Sequence, residues 1–437
     1  MAFLLITFAP MISIETLYSL FLKHPSICTD SRKLKSGDLF FALKGENFNG
    51  NHFATQAINE GAIYAVIDEI PDIPNDRLLL VTDVLKTLQA LAGYHRNQFS
   101  IPYIAITGSN GKTTTRELIH AVLSTSYHTY TTEGNLNNHI GIPLTILKIK
   151  SDAEIAVVEM GANHLREIAG YCAYTRPTHG IITNCGKAHL EGFGSIEGVR
   201  KGKAELYDWL RSNGGTAFVM WDYDYLQEMS KGIPEIVSYG TVNASVTGIA
   251  DSGEAHLRVK LTYGVHNSII RTQLTGRYNL PNVLAAVTVG AYFKIDPAKV
   301  KKSIEEYQPS NSRSQILKWE SNTVVLDAYN ANPSSMKLAI ENFSGFPSKE
   351  KVLILGAMAE LGSASLKEHE EILQLIAGYP WKEVVLVGGD FLKIKNSYRS
   401  FHTSTEAGEW LKSKHFKNTF FLLKGSRSMQ MEKALLK

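Results

Sequence analysis

Cysteine is scarce in this chain, with 3 in 437 residues. Cys28, Cys172 and Cys185 are odd in number and lack metal-type spacing. They exclude a disulfide framework and a cysteine metal centre, and they lead us to expect free thiols in a reducing cytoplasm. Long apolar runs are missing too, so no segment reads as a transmembrane helix. Residues 1–10, Met-Ala-Phe-Leu-Leu-Ile-Thr-Phe-Ala-Pro, are apolar but too short to span a bilayer. They also lack the basic start of a signal peptide, and Met11 is expected to be the natural start. No charge sign dominates: 45 Lys and Arg face 42 Asp and Glu, a formal +3. That balance gives no electrostatic ground for a nucleic-acid or membrane partner. Internal repeats and low-complexity segments are also lacking.

What remains is an ordinary globular composition, 44% hydrophobic and 20% charged, with a length that suggests about three domains. We place them at 11–98, 99–310 and 311–437. The fold class is α/β throughout: a small N-terminal α/β domain, a central P-loop ATPase-like domain with a parallel sheet, and a C-terminal Rossmann-like α/β domain.

The chain is organised around Tyr103-Ile-Ala-Ile-Thr-Gly-Ser-Asn-Gly-Lys-Thr-Thr-Thr115. An apolar, β-branched run, Tyr103 to Ile106, reads as a buried strand. Gly108 to Gly111 breaks it, and Lys112 opens a helix with Leu118, Ile119, Val122 and Leu123 on its buried side. Strand, glycine turn, Lys-Thr and helix make a phosphate cradle in which Gly108, Asn110, Gly111, Lys112, Thr113 and Thr114 would face a nucleotide. The spacing, Gly-x-x-Gly-Lys-Thr, is shorter than the general P-loop pattern, which would place a glycine at Ile106.

Other polar clusters also fall at the ends of apolar strands. Ala153 to Gly161 is a buried strand delivering Glu159, where a Mg²⁺ ligand belongs. His179 to His189 carries Asn184 and His189 to the same edge. The Gly- and Asn-rich stretch from Thr131 to Pro143 reads as an irregular ligand loop. Ser195 to Trp209 reads as the basic start of a helix. Residues 236–275 read as β hairpins, and a helix to Phe293 follows, with Asn279 or Asn282 as its cap. In the last third, strands at 323–326, 352–355, 383–387 and 420–423 alternate with helices at 334–342, 366–376 and 405–412. That pattern predicts a mostly parallel sheet covered on both faces. No Gly-x-Gly-x-x-Gly follows its first strand, so a dinucleotide site is not indicated. Asp327-Ala-Tyr-Asn-Ala-Asn-Pro333 and Leu423-Lys-Gly-Ser-Arg427 both lie at strand C-termini. In the first domain the strand 39–43, the turn at Lys44 and a helix at 52–60 surround Ser31, Arg32 and Lys44, candidates for an anionic ligand.

Together these motifs resemble the Mur ligases, ATP-dependent amide ligases of peptidoglycan synthesis. The resemblance rests on Thr107-Gly-Ser-Asn-Gly-Lys-Thr113, Gly134-Asn-Leu-Asn-Asn138, Glu159-Met-Gly, Asn184-Cys-Gly-Lys-Ala-His189, Tyr329-Asn-Ala-Asn-Pro333 and Lys424-Gly-Ser-Arg427, and it covers the chain from Met11. It implies ATP and Mg²⁺. Lys112 would hold phosphate, and Thr113, Glu159, His189 and a carbamylated Lys203 would hold metal. Asn282 would read adenine, and Arg313 and Asp327 would reach phosphate and ribose. Ser31, Arg32 and Lys44 would hold the uridine diphosphate end of a substrate, and Asn137 and Asn138 its muramoyl part. Tyr329, Asn330, Asn332, Lys424, Ser426 and Arg427 would complete the substrate site. The Tyr-Asn-Ala-Asn-Pro and Lys-Gly-Ser-Arg pieces imply UDP-N-acetylmuramoyl-tripeptide and D-alanyl-D-alanine as the substrates. The family pattern often has His at Tyr278 and Asp at Leu326 and Ala357, and this chain departs from it there.

The implied chemistry is an ADP-forming ligation through an acyl phosphate in the cytoplasm, carried out by a monomer whose domains close on the site. Another Mur-type or a folylpolyglutamate-type ligase, and a nucleotide-dependent switch without ligase activity, are the alternatives.

Overall fold

The computed structural model describes residues 11–435 except 72, 74, 252–255 and 310–311. The expectation about residues 1–10 and the boundary set at 310/311 fall outside the described residues. Among the described residues no helix is long and apolar enough to cross a membrane.

The chain opens on helix Ile14–Lys23, capped by the Ser13 side chain and carrying Glu15 in its first turn and Lys23 in its last, all favourable to the helix dipole. A four-stranded parallel sheet follows in chain order: Ile27–Cys28, Leu39–Phe41, Tyr64–Ile67 and Leu78–Leu80. Lys44 does not sit in a simple turn. Lys44–Gly45 pairs antiparallel with Phe48–Asn49. The helix read over 52–60 is shorter, Ala54–Asn59, because Asn49 accepts the Asn51 N–H and winds Gly50–Phe53 into a 3₁₀ turn first.

The nine-stranded middle sheet sets the site. One inner strand, Tyr103–Thr107, third from an edge, is buried at all five positions. Ile155–Glu159 lies parallel on one side and His179–Ile182 parallel on the other. The register pairs Ile106 with Glu159 and Thr107 with Ile182, so three strand ends finish level, and whatever follows them shares one edge. The 236–275 reading needs correction. Glu235–Gly240 runs parallel to Val246–Asp251. The chain steps sideways there rather than reversing, held where Asp222 accepts the Thr241 N–H and Ser238 accepts the Ser245 N–H. Only Val246–Asp251, His256–Tyr263 and Ile269–Thr275 are antiparallel. Alternation identifies a strand but not its direction. The irregular loop also ends sooner than read, at the helix Gly141–Leu147. Asn138 Oδ1 accepts the Ile140 and Gly141 N–H groups and starts that helix.

The last sheet has six strands. Asn322–Asp327, Phe420–Lys424, Lys351–Gly356, Glu383–Val387 and Arg399–Phe401 are parallel, and Gln315–Trp319 lies antiparallel at one edge. Two apolar clusters cover its faces, one with Met336, Phe343 and Ile372, the other with Leu411, Phe421 and Met431. Burying such a side chain contributes about 1.5–3 kcal/mol. The helices Pro333–Ser344, Ser365–Ala377 and Ser404–Ser413 therefore pack on both faces, as the alternation predicts.

Candidate active site

The glycine turn leaves the strand Tyr103–Thr107 with Gly108 at φ +139° and Gly111 at φ +81°, a backbone that L side chains rarely adopt. Helix Lys112–Leu123 starts there with no side chain capping it, so its first N–H groups remain for a ligand. Lys112 Nζ donates to the Gly108 and Ser109 carbonyls at 2.7 and 3.3 Å. Burial pulls its pKa down, and the Glu159 carboxylate opposes that shift.

Glu159, 1% exposed, accepts from Thr113 Oγ1 at 3.1 Å and Asn137 Nδ2 at 2.8 Å, both at Oε1. Its Oε2 is buried without a hydrogen-bond partner, 3.6 Å from Arg116 Nε. A buried carboxylate oxygen that accepts no hydrogen bond, held only by that ion pair, is costly. With the Thr113 hydroxyl beside it, it suits a hard divalent cation such as Mg²⁺, which prefers oxygen donors. Among the described residues no three His, Cys, Asp or Glu cluster as a ready-made metal cage, so phosphate and water would have to complete the ligand set. His189 stands at φ +53°, at the start of the short helix Leu190–Phe193. Its Nδ1 lies 2.5 Å from Glu360 Oε2. Pairing with His189, helped by the Lys112 charge, holds the Glu360 carboxyl below the usual carboxylate range. Lys203 is buried on helix Ile196–Ser212, with Nζ donating to the Ala162 carbonyl at 3.2 Å. Burial first, and then the nearby Lys112 charge, bring its pKa down to about 7.

Asn282 does not cap its helix, and Asn279, at the cap position, makes no side-chain cap. The Asn282 carbonyl oxygen accepts from Thr115 Oγ1 at 3.1 Å, and its amide donates to Asn279 Oδ1 at 2.8 Å. Asn279 in turn donates to the Thr275 carbonyl. Both asparagines are thus used for fixing the turn and the helix beside it.

Residues after strand ends of the last sheet meet the glycine turn. Asn332 Nδ2 donates to Asn110 Oδ1 at 2.8 Å while Asn332 caps Pro333–Ser344. The Arg313 guanidinium lies 3.6 Å over the Tyr329 ring. Lys424, 2% exposed, donates to Asp327 Oδ2 at 2.6 Å and to the Asn330 carbonyl at 3.3 Å. A cavity of about 680 Å³ lies between the two sheets' loops, lined from both bodies; Arg116, Lys203 and Glu360 stand outside its lining. It has room for a nucleotide and part of a second ligand.

Asn110, Gly111, Lys112, Thr113, Thr114, Asn137, Asn138, Glu159, His189, Asn282, Arg313, Asp327, Tyr329, Asn330, Asn332 and Lys424 all line that cavity. Gly108 lies behind the turn against Asn184. Ser31, Arg32 and Lys44 belong to the first sheet's loops and do not line it. Arg32 is largely exposed and paired with Asp30, and Lys44 is held by Asp68 and Glu69. Ser426 and Arg427 do not line it either. Ser426 Oγ donates to the Ala357 carbonyl, and Arg427 pairs with Glu432. The Tyr278 hydroxyl meets Ser314 Oγ, while Leu326 and Ala357 pack in the core. Sequence reasoning missed Glu360 and Arg116. Glu360 lies just beyond the C-terminal end of Lys351–Gly356, the same strand-end signal that marked Glu159. Arg116 had no such signal, since one turn into a helix an arginine reads as solvated.

Three sequence profiles match the chain: "Mur ligase family, catalytic domain" over 25–95, "Mur ligase middle domain" over 106–290 and "Mur ligase, glutamate ligase domain" over 312–427. A relative from Bacillus subtilis named UDP-N-acetylmuramoyl-tripeptide–D-alanyl-D-alanine ligase is 34% identical, covering 93% of this chain and 91% of its own. One of the same name from Escherichia coli is 33% identical over 94% and 92%. A crystal structure of MurF from Acinetobacter baumannii superposes with a TM-score of 0.86 at 31% identity, covering 94% of this chain and 92% of that one. MurF from Thermotoga maritima in complex with ADP also gives 0.86, at 25% identity, covering 95% and 97%.

Proposed function

The chain belongs to the Mur ligase family, and from that premise we propose that it joins UDP-N-acetylmuramoyl-tripeptide to D-alanyl-D-alanine at the expense of ATP, in cytoplasmic peptidoglycan precursor synthesis. The observation that carries this reading is the level row of strand ends. It sets the Lys112 ammonium, the Thr113 hydroxyl and the Glu159 carboxylate, whose Oε2 accepts no hydrogen bond, on one cavity wall, facing Asp327 and Lys424 on the other.

A carboxylate is a poor acyl donor, so it is activated first. Its oxygen bonds to the γ-phosphorus as the β–γ bridge breaks, giving ADP and an acyl phosphate. The dipeptide amine then bonds to the carbonyl carbon, loses its proton, and phosphate leaves. Two anions must meet in the first step, so charge neutralisation is the main task. In this reading Gly108, Asn110, Gly111 and the helix start cradle the triphosphate, with Lys112 adding a full charge and Thr114 at its side. Mg²⁺ bound by Thr113, Glu159, His189 and Lys203 would supply further positive charge between carboxylate and phosphate. Lys203 suits this role because an amine with a pKa near neutrality has a ready uncharged fraction. Carbamylation needs that form and makes oxygen ligands of it. Asn282 would read adenine, and Arg313 and Asp327 would reach the phosphates and ribose. Ser31, Arg32 and Lys44 would take the uridine diphosphate end, and Asn137 and Asn138 the muramoyl part. Tyr329, Asn330, Asn332 and Lys424 would take the peptide end, with Ser426 and Arg427 supporting that wall. The working unit is a monomer of three domains, 11–98, 99–310 and 311–437.

Phosphate release from ATP by the purified chain tests this. It is expected only when UDP-N-acetylmuramoyl-tripeptide and D-alanyl-D-alanine are both present. Hydrolysis indifferent to both would overturn it.

A further inference from the structure

One contact beside the cavity joins the two bodies in an unusual way. His189 follows a strand end of the middle sheet, and Glu360 follows one of the last sheet. Both have left-handed backbones, at φ +53° and +60°. Non-glycine residues hold that conformation at a cost, and they persist in it where the surroundings over-determine them.

The surroundings here fix both. The Glu191 N–H donates to the Glu360 carbonyl at 3.2 Å, tying the backbones together. On the far side the Met358 N–H donates to His369 Nε2 at 3.0 Å, and His369 Nδ1 lies 2.7 Å from the Ser365 carbonyl. His369 is fully buried, edge-on to Phe391. The loop bearing Glu360 is therefore held by a core histidine, and its carboxylate is delivered to His189 Nδ1 at 2.5 Å.

The contact has ion-pair distance without hydrogen-bond alignment; a carboxylate this near Nδ1 favours the proton on that nitrogen and leaves the Nε2 lone pair free. That is the arrangement by which outer partners orient a metal-binding histidine and raise its basicity. We propose that Glu360 is a positioning residue for His189, so that the cation site of the middle body is complete only when the last body is docked. This rests on the reading of His189 as a cation ligand given above. Cation affinity and docking are then linked, because a ligand that favours one arrangement must be bound more tightly by it.

The test is Mn²⁺ binding, followed by electron paramagnetic resonance of the free ion in the presence of a non-hydrolysable ATP analogue. It uses the full chain and its Glu360→Gln, His189→Ala and doubly substituted forms. Glu360 is half-exposed on its side chain, and Gln keeps its shape, so folding is not at issue. Circular dichroism melting confirms it. We expect Glu360→Gln to weaken Mn²⁺ roughly tenfold or more, and to add nothing once His189 is Ala. If Glu360→Gln binds Mn²⁺ like the parent while His189→Ala does not, the positioning role is overturned and the ligand reading stands. Parent-like binding by His189→Ala would overturn the ligand reading itself.

Discussion

His179 shows how burial alone sets a side chain's behaviour. It begins the strand beside Tyr103–Thr107, with its ring against Phe218, Tyr292 and Phe293 and its Nδ1 on Thr178. Burial, only partly offset by Glu235, pushes its pKa down from 6.5 to about 4. Between those values the unfolded chain binds a proton that the folded chain refuses. Stability is therefore full above about pH 6.5 and falls as the pH drops towards 4. At about 1.4 kcal/mol per pH unit crossed, the loss is on the order of 3 kcal/mol. Urea unfolding of the parent and of His179→Phe should show it. The variant keeps an aromatic ring in the cluster, and its stability should fall less over that range. Equal slopes for the two proteins would assign the acid sensitivity elsewhere.

The element that matters most is the strand, turn and helix from Tyr103 to Leu123. Gly111 stands at φ +81° there, and a Cβ on it would meet Asn282 Oδ1 at 2.6 Å. Gly111→Ala should thus cost backbone strain of about 1 kcal/mol and push Asn282 out of its bond to Thr115. Isothermal titration is expected to show ATP-analogue affinity reduced at least tenfold, with melting only slightly lowered. Unchanged affinity would mean that the turn tolerates a side chain and does not cradle phosphate. This element was legible from sequence because a buried strand, two glycines and Lys-Thr leave few other ways to arrange the backbone. Glu159 was legible for the same reason, as a carboxylate closing an apolar run. The direction of Val246–Asp251 was not, since period-two burial is the same for parallel and antiparallel neighbours. The strands Gln315–Trp319 and Arg399–Phe401 were missed because edge strands bury little and carry polar side chains. Asn282 was misread as a cap because its partners, Thr115 and Asn279, are set by tertiary packing rather than by its place at a helix start. Glu360 and Arg116 acquire their surroundings only when distant segments meet.

At the scale of the molecule, the site is shared by two bodies, so its activity depends on how firmly they dock. Besides the His189–Glu360 contact, the interface has a charged latch outside the cavity. Lys187 Nζ reaches Glu368 Oε1 at 2.7 Å and Glu371 Oε2 at 3.2 Å on helix Ser365–Ala377, while its N–H donates to Ser334 Oγ. Lys187 is 41% exposed, Glu371 45% and Glu368 only 6%. Solvent weakens the outer pair, and the contact to Glu368 matters more, since removing the lysine leaves a buried carboxylate without its cation. Lys187→Glu would place three carboxylates together and favour undocking by roughly 1–2 kcal/mol, a factor of about 5–30 in the docked fraction. We expect a larger radius of gyration by small-angle scattering with the ATP analogue and UDP-tripeptide bound, and a matching fall in kcat/KM. Adding Glu368→Lys to that variant restores one opposite-charge contact, and it should recover both compactness and turnover in part. The same second change made alone should impair the protein, because it sets a second ammonium against that of Lys187. A Lys187→Glu protein as compact and active as the parent would mean that docking is governed by the cavity-side contacts alone. The loss in Glu360→Gln would then measure one of those contacts, beside the Asn332–Asn110 and Glu191–Glu360 backbone hydrogen bonds that the substitution leaves in place.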